Sequence, residues 1–167
     1  VNGKWRLTRW VLIWINYHRP PAMPEQSISV IGFDYGTHWI GSAIGQTRTG
    51  TASPLTGIRV INKQPEWGVI SKLIEVWKPD LLVVGLPTSM QEIPSAMTEK
   101  ARRFSRQLEG RYQIKTELVD ERLTTREAWQ IVEQSATRRV DKAEIDCIAA
   151  VLITENWLSQ HARKKSS

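Results

Sequence analysis

The chain has 167 residues, of which 41% are hydrophobic and 24% charged; this is typical of one globular domain and excludes a disordered or collagen-like chain. The formal net charge is +6, but the excess lies in residues 1–22 and at the carboxyl end, so residues 23–162 are close to neutral. A nucleic-acid interaction must therefore be argued from a site, not from bulk charge. The single cysteine, Cys147, excludes an intramolecular disulfide and a zinc site built from several thiolates, and it indicates a reducing compartment.

Residues 1–22 differ in composition from the rest of the chain. They contain three of the eight tryptophans and no acidic residue, and they end directly before Met23. Their apolar run at residues 10–15 is too short for a bilayer span, which takes about 20 residues, and it lacks a clear secretory cleavage site. We therefore expect translation to start at Met23, with residues 1–22 as a non-native or dispensable extension, 23–160 as a single domain and 161–167 as a basic tail.

Three β-strands are predicted in the first part of the domain. Residues 28–35 are rich in β-branched and aromatic residues and have apolar side chains on both faces, which is typical of a central strand. A second strand is expected at residues 40–46 and a third around residues 57–61. Three consecutive strands indicate an antiparallel meander.

Helices and strands alternate in the second part. Apolar residues at helical spacing predict a helix over residues 67–77. The elements expected next are a strand over 81–84 that stops at Gly85, a helix over 95–108, a strand over 114–119 and two helices whose capping boxes begin at Thr124 and Asp141. The order β-β-β-α-β-α-β-α-α predicts an α/β domain with a mixed sheet covered by helices on both faces.

Asp34 stands near the end of the first predicted strand, on the same face as Val30 and Gly32. A carboxylate in the core of a sheet needs a partner, a proton or a metal ion to offset the loss of its hydration. The residues alone leave two interpretations open. Asp34 is either a functional carboxylate at the sheet edge or an acceptor of turn hydrogen bonds just before Gly36.

Two further acidic positions are candidates for the same site. Asp120 and Glu121 end the strand over 114–119, and since neighbouring strand residues face opposite ways we expect only one of them at a shared site; periodicity does not decide which. Asp146 falls in the second turn of the last helix, beyond the usual capping position, and extends an apolar stripe that includes Ala150. The alternative interpretation is that Asp146 is solvent-exposed and that its negative charge is favoured by the nearby helix N-terminus.

Three carboxylates from two strand ends and one helix would bind a hard divalent cation, Mg²⁺ or Mn²⁺. Two such ions held by shared carboxylates activate water and stabilise the leaving oxygen in phosphodiester hydrolysis. Gly36 and Gly41 would let the backbone approach a phosphate. Arg122 and Lys142 flank the proposed acids and are either phosphate contacts or ordinary surface charges.

Four motifs occur in an order that resembles the YqgF family. They are IGFDYGT at residues 31–37, VGLP at 84–87, DERLTT at 120–125 and ID at 145–146. The resemblance covers nearly the whole body of the chain and implies an RNase H-like fold. It also implies that Asp34, Glu121 and Asp146 are the catalytic, metal-binding acids, which selects Glu121 over Asp120. The expected nucleic-acid contacts are Gly36, Thr37, Arg122 and Lys142.

That family is described as Holliday junction resolvases and as nucleases that process the 5′ end of pre-16S rRNA. The resemblance therefore implies a cytoplasmic, metal-dependent endonuclease that acts on precursor rRNA, with ribosomal particles as partners. The alternatives are a resolvase that cuts branched DNA and a noncatalytic RNA-binding factor in ribosome assembly. No membrane partner is expected, and the sequence leaves open whether the protein is a monomer or a homodimer.

A nucleotide-binding alternative comes from residues 34–37. The string DYGT also resembles the phosphate-binding hairpin of actin-like ATPases and sugar kinases. Those enzymes need a second lobe that closes over the nucleotide, and the chain is short for two lobes. Length therefore argues against this interpretation.

Overall fold

The computed structural model describes residues 27–87, 95–120, 134 and 141–165. Seven strands in this part of the chain form one sheet: β1 (Ser29–Tyr35), β2 (Trp39–Gln46), β3 (Thr51–Pro54), β4 (Ile58–Ile61), β5 (Gln64–Pro65), β6 (Leu81–Leu86) and β7 (Thr116–Asp120). The described helices are α1 (Trp67–Trp77), α2 (Ala96–Tyr112) and α3 (Lys142–Lys165). The strand order is β5-β4-β2-β1-β6-β7, and β3 also pairs with β2.

The sheet is mixed because β1 has two kinds of neighbour. It pairs antiparallel with β2, to which a short turn connects it, and parallel with β6, which pairs parallel with β7. The register aligns Phe33 with Val84, and Val84 with Leu118. The carboxyl ends of β1, β6 and β7 therefore lie at one edge of the sheet, and Asp34 follows Phe33 at that edge.

The two faces of the sheet carry separate apolar clusters. Ile31 and Phe33 pack with Phe104 of α2 on one face, where α1 also contributes. Val30 packs with Ile153 of α3 on the other face. Side chains of β1 thus alternate between two cores. The α/β mixed sheet with helices on both faces is confirmed.

The strand predictions are confirmed for β1 and β2 and incomplete beyond them. The predicted strand at residues 57–61 corresponds to β4, which pairs antiparallel with β2, as β2 does with β1, so the antiparallel arrangement of these three strands is confirmed. β3, which was not predicted, lies between β2 and β4 in the sequence and also pairs antiparallel with β2. β3 is mostly exposed and β5 has only two residues, so neither shows the alternation of apolar and polar residues from which a strand is predicted. β6 does not stop at Gly85; it continues to Leu86 because these residues pair with Val119 and Asp120.

The helix predictions agree with α1 over its full length. The side chain of Ser95 accepts a hydrogen bond from the Thr98 N–H at the start of α2, as expected of an N-cap, but α2 continues past residue 108 to Tyr112. The helix expected to begin at Thr124 lies outside the described residues, as do residues 1–22. None of the described helices combines the length and apolar character needed to cross a membrane.

The last helix begins directly after Asp141, where the capping pattern predicted it. Backbone N–H groups of Glu144 and Ile145 donate to the Asp141 carbonyl. α3 runs to Lys165 and therefore includes basic residues of the segment predicted as a tail. Their position in the last turn suits the negative end of the helix dipole.

Candidate functional site

Small residues line the sheet face beneath α3. A Cβ on Gly32 would overlap the hydroxyl of Thr154, and one on Gly41 would overlap the backbone carbonyl of Asp146. The backbone of α3 therefore rests directly on β2 at Gly41, and the Thr154 side chain of α3 rests on β1 at Gly32, so both contacts require the absence of a side chain on the strand. The space at Gly41 is filled by the helix, so the expectation that a phosphate approaches there is wrong.

Asp34 is the last residue but one of β1 and lies on the α3 face. It follows Gly32 by two residues, and alternate strand residues share a face. Its register partner on β2 is Gly41, the residue on which the backbone of Asp146 rests. Burial raises the pKa of the Cys147 thiol, and the charges of Asp146 and Asp34 add to the increase. Asp34 is thus close to the first turns of α3.

The Asp146 carboxylate is buried in the second turn of α3, with 9% of the residue exposed. Its Oδ1 lies 3.5 Å from the Nζ of Lys142. Its Oδ2 is buried and has no hydrogen-bond donor among the described residues. Burial raises the pKa of this carboxyl, and Lys142 partly offsets the increase. A buried carboxylate oxygen without a donor is costly, so its retention needs an explanation.

A divalent cation fits this donor set. Carboxylate oxygens from β1 and α3 are the ligands that Mg²⁺ and Mn²⁺ prefer, and a cation would satisfy the buried Oδ2 of Asp146. Within the residues that the structure describes, no group of three His, Cys, Asp or Glu side chains forms a metal site. The third expected acid, Glu121, lies outside them, directly after the last residue of β7.

The register and burial of β7 indicate which face of the sheet carries the Asp120 side chain. Val119 belongs to the apolar cluster on the α3 face, and the Glu117 carboxylate accepts a hydrogen bond of 2.7 Å from Trp157 Nε1 of α3. Asp120 pairs in register with Leu86, whose side chain belongs to the opposite cluster. Alternation therefore turns the Asp120 side chain away from the face that carries Asp34.

The predicted nucleic-acid contacts have local explanations as well. A Cβ on Gly36 would overlap the carbonyl of Trp39, so the turn between β1 and β2 requires glycine there. Thr37 is exposed, and its Oγ1 lies 3.0 Å from His38 Nδ1. Lys142 is exposed and pairs with Asp146. Arg122 lies outside the described residues, and the role of all four in nucleic-acid binding stays a prediction.

Comparisons with known proteins agree on one group. The family model that matches the chain is RuvX, described as Holliday junction resolvase, over residues 28–160. Curated proteins named "Putative pre-16S rRNA nuclease" from Mannheimia succiniciproducens and Aeromonas salmonicida are 43% and 45% identical to the chain. The alignments cover 81% and 80% of this chain and 97% and 96% of those proteins.

A solved structure supports the fold independently. RuvC of T. thermophilus in complex with a Holliday junction substrate superposes with a TM-score of 0.53 at 12% identity. The match covers 82% of this chain and 96% of that chain. At this identity the likeness concerns the fold alone, and it agrees with an RNase H-like mixed sheet.

Proposed function

Because this chain belongs to the RuvX family, we propose that it is a metal-dependent endonuclease that hydrolyses phosphodiester bonds of precursor 16S rRNA. The family agrees with the one expected from the four sequence motifs. One structural observation carries the metal dependence: Asp146 keeps a buried carboxylate oxygen without a hydrogen-bond donor among the described residues, beside the strand end that bears Asp34. A carboxylate in that position is retained for a cation.

The proposed ligands of Mg²⁺ or Mn²⁺ are Asp34, Glu121 and Asp146. Asp34 and Asp146 are held on the α3 face by β1 and by the helix backbone on Gly41. Glu121, which directly follows β7 in the sequence, is supported by the motif DERLTT at residues 120–125, which resembles that of the family. A divalent ion bound there would supply an activated water and stabilise the negative charge that develops on the leaving oxygen.

Cationic and small residues at this edge would hold the substrate. Lys142 contacts Asp146 through an exposed side chain, so it can turn to a phosphate when the carboxylate binds a cation. Gly36 and Thr37 belong to the turn between β1 and β2, one and two residues after the end of the strand that carries Asp34. Arg122 follows Glu121 in the sequence. These four residues are the proposed phosphate contacts.

The choice of RNA as substrate comes from the curated relatives. Their names specify pre-16S rRNA, and they are 43% and 45% identical to this chain along almost their whole lengths. The proposed setting is the cytoplasm, with ribosomal particles as partners. A second candidate, cleavage of a four-way DNA junction, is favoured by the description of the RuvX family, and it calls for a homodimer because two symmetric strands must be cut.

The test compares both substrates in one experiment. Wild type and Asp34→Asn are incubated with a 5′-extended pre-16S rRNA fragment and with a four-way DNA junction, in Mg²⁺ or Mn²⁺. We expect the wild type to cut the RNA and the variant to lose that cleavage. Cleavage of the junction alone would instead establish a resolvase.

A matched pair of variants tests the third ligand. Glu121→Gln should abolish cleavage, whereas Asp120→Asn should retain it, because Asp120 lies on the opposite face from Asp34. The reverse result would exclude Glu121 as a ligand. If the wild type cuts neither substrate, alone or in precursor ribosomal particles, and the Asp34→Asn variant binds RNA equally well, the protein is a noncatalytic assembly factor.

A further inference from the structure

A cavity of about 200 Å³ opens on the sheet face opposite the acids. Its lining includes Tyr35, Thr37, Lys63, Lys100, Arg103 and Gln107. It lies at the end of β1, where Tyr35 directly follows Asp34 and alternation turns the two side chains to opposite faces. The cavity and the carboxylates are therefore on the two sides of one strand end, with the turn that contains Thr37 between them.

The cavity is strongly cationic. Three of its lining residues are Lys63, Lys100 and Arg103, and among the described residues no carboxylate oxygen lies within 4.0 Å of their charged nitrogens. Lys100, Arg103 and Gln107 are spaced along one face of α2. The ring of Tyr35 packs on Phe104 with 5.1 Å between ring centroids, which fixes the direction of its hydroxyl. The lining thus offers several hydrogen-bond donors and positive charge.

Lys63 occupies a backbone position that favours glycine. Ile61 and Gln64 are paired across a two-residue turn in which Asn62 and Lys63 have φ values of 51° and 64°. Both central residues of this turn have positive φ, and glycine is the preferred residue at the second position. A lysine there lowers the stability of the turn and adds a charge to the cavity. This combination is typical of a residue kept for binding.

The size of the cavity restricts its ligand. About 200 Å³ is less than the roughly 300–1,000 Å³ of sites that enclose a drug-sized ligand. A phosphate group with part of its sugar fits, whereas a whole nucleotide or a duplex does not. Bidentate donors such as the Arg103 guanidinium are suited to phosphate oxygens.

We propose that this cavity binds one phosphate of a single-stranded segment adjoining the scissile bond, so that the strand passes from the carboxylates over the turn at Thr37 to the opposite face. The proposal rests on the proposed nuclease function for the identity of the strand. It assigns Lys63, Lys100 and Arg103 as substrate-binding residues that take no part in bond cleavage. It also gives Lys63, Lys100 and Arg103 a role on the α2 face.

The first test measures binding without cleavage. A 5′-labelled single-stranded RNA is titrated by fluorescence anisotropy in EDTA against wild type, Lys100→Glu/Arg103→Glu and the control Lys72→Glu/Arg106→Glu, which changes the net charge equally at exposed helix positions outside the lining. We expect about a tenfold loss of affinity for the cavity variant relative to the control at low salt. Loss of one phosphate contact should also reduce the slope of log Kd against log salt by about 0.7.

A second test uses Lys63→Gly, which separates binding from stability. Glycine relieves the positive φ of the turn, so thermal stability should rise while RNA affinity falls. A merely structural lysine would leave the affinity unchanged, and that result would overturn its role. Equal losses in the cavity and control variants, or no loss in either, would overturn the site.

A third arm distinguishes a strand phosphate from a free anion. Inorganic phosphate is added to ¹⁵N-labelled protein, and the amide resonances of Thr37 and Gln64 are followed. Shifts of these resonances, together with unchanged RNA affinity in Lys100→Glu/Arg103→Glu, would identify a free-anion site and overturn the strand assignment. Because binding is measured in EDTA, the result does not depend on nuclease activity. If the protein cuts no RNA in Mg²⁺ or Mn²⁺ but only the cavity variant loses RNA affinity, the proposed nuclease function fails and the cavity site is still supported.

Discussion

The two faces of the sheet at the end of β1 are built in opposite ways. On the α3 face, Gly32 and Gly41 lack side chains, and α3 fills the space with the Thr154 side chain at Gly32 and with its backbone at Gly41. On the α2 face, Tyr35 and Phe33 pack against Phe104 with ring centroids 5.1 and 5.7 Å apart. The α3 face brings main chain and carboxylates together, whereas the α2 face keeps its helix at the distance set by aromatic rings.

This difference suits the two proposed roles of the strand end, cation binding on one face and phosphate binding on the other. Carboxylates that share a cation must come within a few ångströms of each other, which glycine at the helix contact permits. A cavity needs walls of large side chains that hold the helix away from the sheet. Asp34 and Tyr35 are consecutive, and the alternation of the strand alone assigns one to each face.

The largest expected effect separates the chemistry of the two faces. Asp146→Asn keeps the size of the side chain but weakens the cation site, so kcat should fall about a thousandfold or more. Tyr35→Phe on the opposite face keeps the packing on Phe104 and should change KM by only a few-fold with kcat nearly unchanged. Steady-state cleavage assays in Mg²⁺ check both. A drop in kcat for Tyr35→Phe comparable to that for Asp146→Asn would contradict the division between faces.

The next effect tests the glycine contact itself. In Gly41→Ala the new Cβ overlaps the Asp146 backbone, so α3 must shift. We expect the free energy of unfolding to fall by about 1–3 kcal/mol and the metal to bind more weakly. Gly110→Ala is the control, because a Cβ at that helical position meets no atom within 4 Å and should stabilise the protein by about 0.5–1 kcal/mol. Urea unfolding and calorimetric metal titration measure both quantities. Equal stability changes in the two variants would show that the contact is not tight.

Much of this arrangement could be predicted from the sequence because it depends on local periodicity. The pattern of residues 28–35 separated the two faces of β1 correctly. Asp146 and Ala150 are buried on α3, which confirms the apolar stripe and excludes the solvated alternative for Asp146. Helix α1 and the start of α3 followed from apolar spacing and capping residues. These features are fixed by contacts within one element or between an element and one neighbour.

What could not be predicted depends on contacts between distant elements. Periodicity left Asp120 and Glu121 equal, and the register of β7 with Leu86 turned Asp120 away from Asp34. The role of Gly41 was missed because it depends on a helix that arrives more than a hundred residues later in the chain. The cationic cavity was also missed, since Lys63 and Lys100 are brought together only by the fold.

A smaller effect concerns the pH dependence of stability. Burial raises the pKa of Asp146 above its usual value of 3.8, so the folded state binds this proton more tightly than the unfolded state. The protonated Asp146 carboxyl therefore contributes stability that is fully present below the pKa of this group in the unfolded state and is lost as pH rises through its pKa in the folded state. In EDTA, the unfolding free energy of the wild type should therefore fall relative to that of Asp146→Asn as pH rises from about 4.

Divalent metal should reverse this loss at neutral pH. A cation at ten times its Kd stabilises the folded wild type by about 1.4 kcal/mol and leaves Asp146→Asn nearly unchanged. Urea unfolding at several pH values, with and without Mg²⁺ or Mn²⁺, measures both parts. A difference between the two proteins that stays constant with pH and metal would show that the Asp146 carboxylate is not the affected group.

The smallest expected effect concerns Lys142, the first residue of α3. A lysine in the first turn opposes the helix dipole, and its ion pair with Asp146 is solvent-exposed on the lysine side, so Lys142→Ala should change stability by less than about 0.5 kcal/mol. Because the ammonium competes with a cation for Asp146, the variant should bind Mg²⁺ more tightly in the absence of RNA. If Lys142 also contacts a phosphate, KM for RNA rises at the same time. Lys72→Ala on α1 serves as the exposed control in calorimetry and cleavage assays. A lower Mg²⁺ affinity in Lys142→Ala would show that the lysine supports the metal site instead of competing with the cation for it.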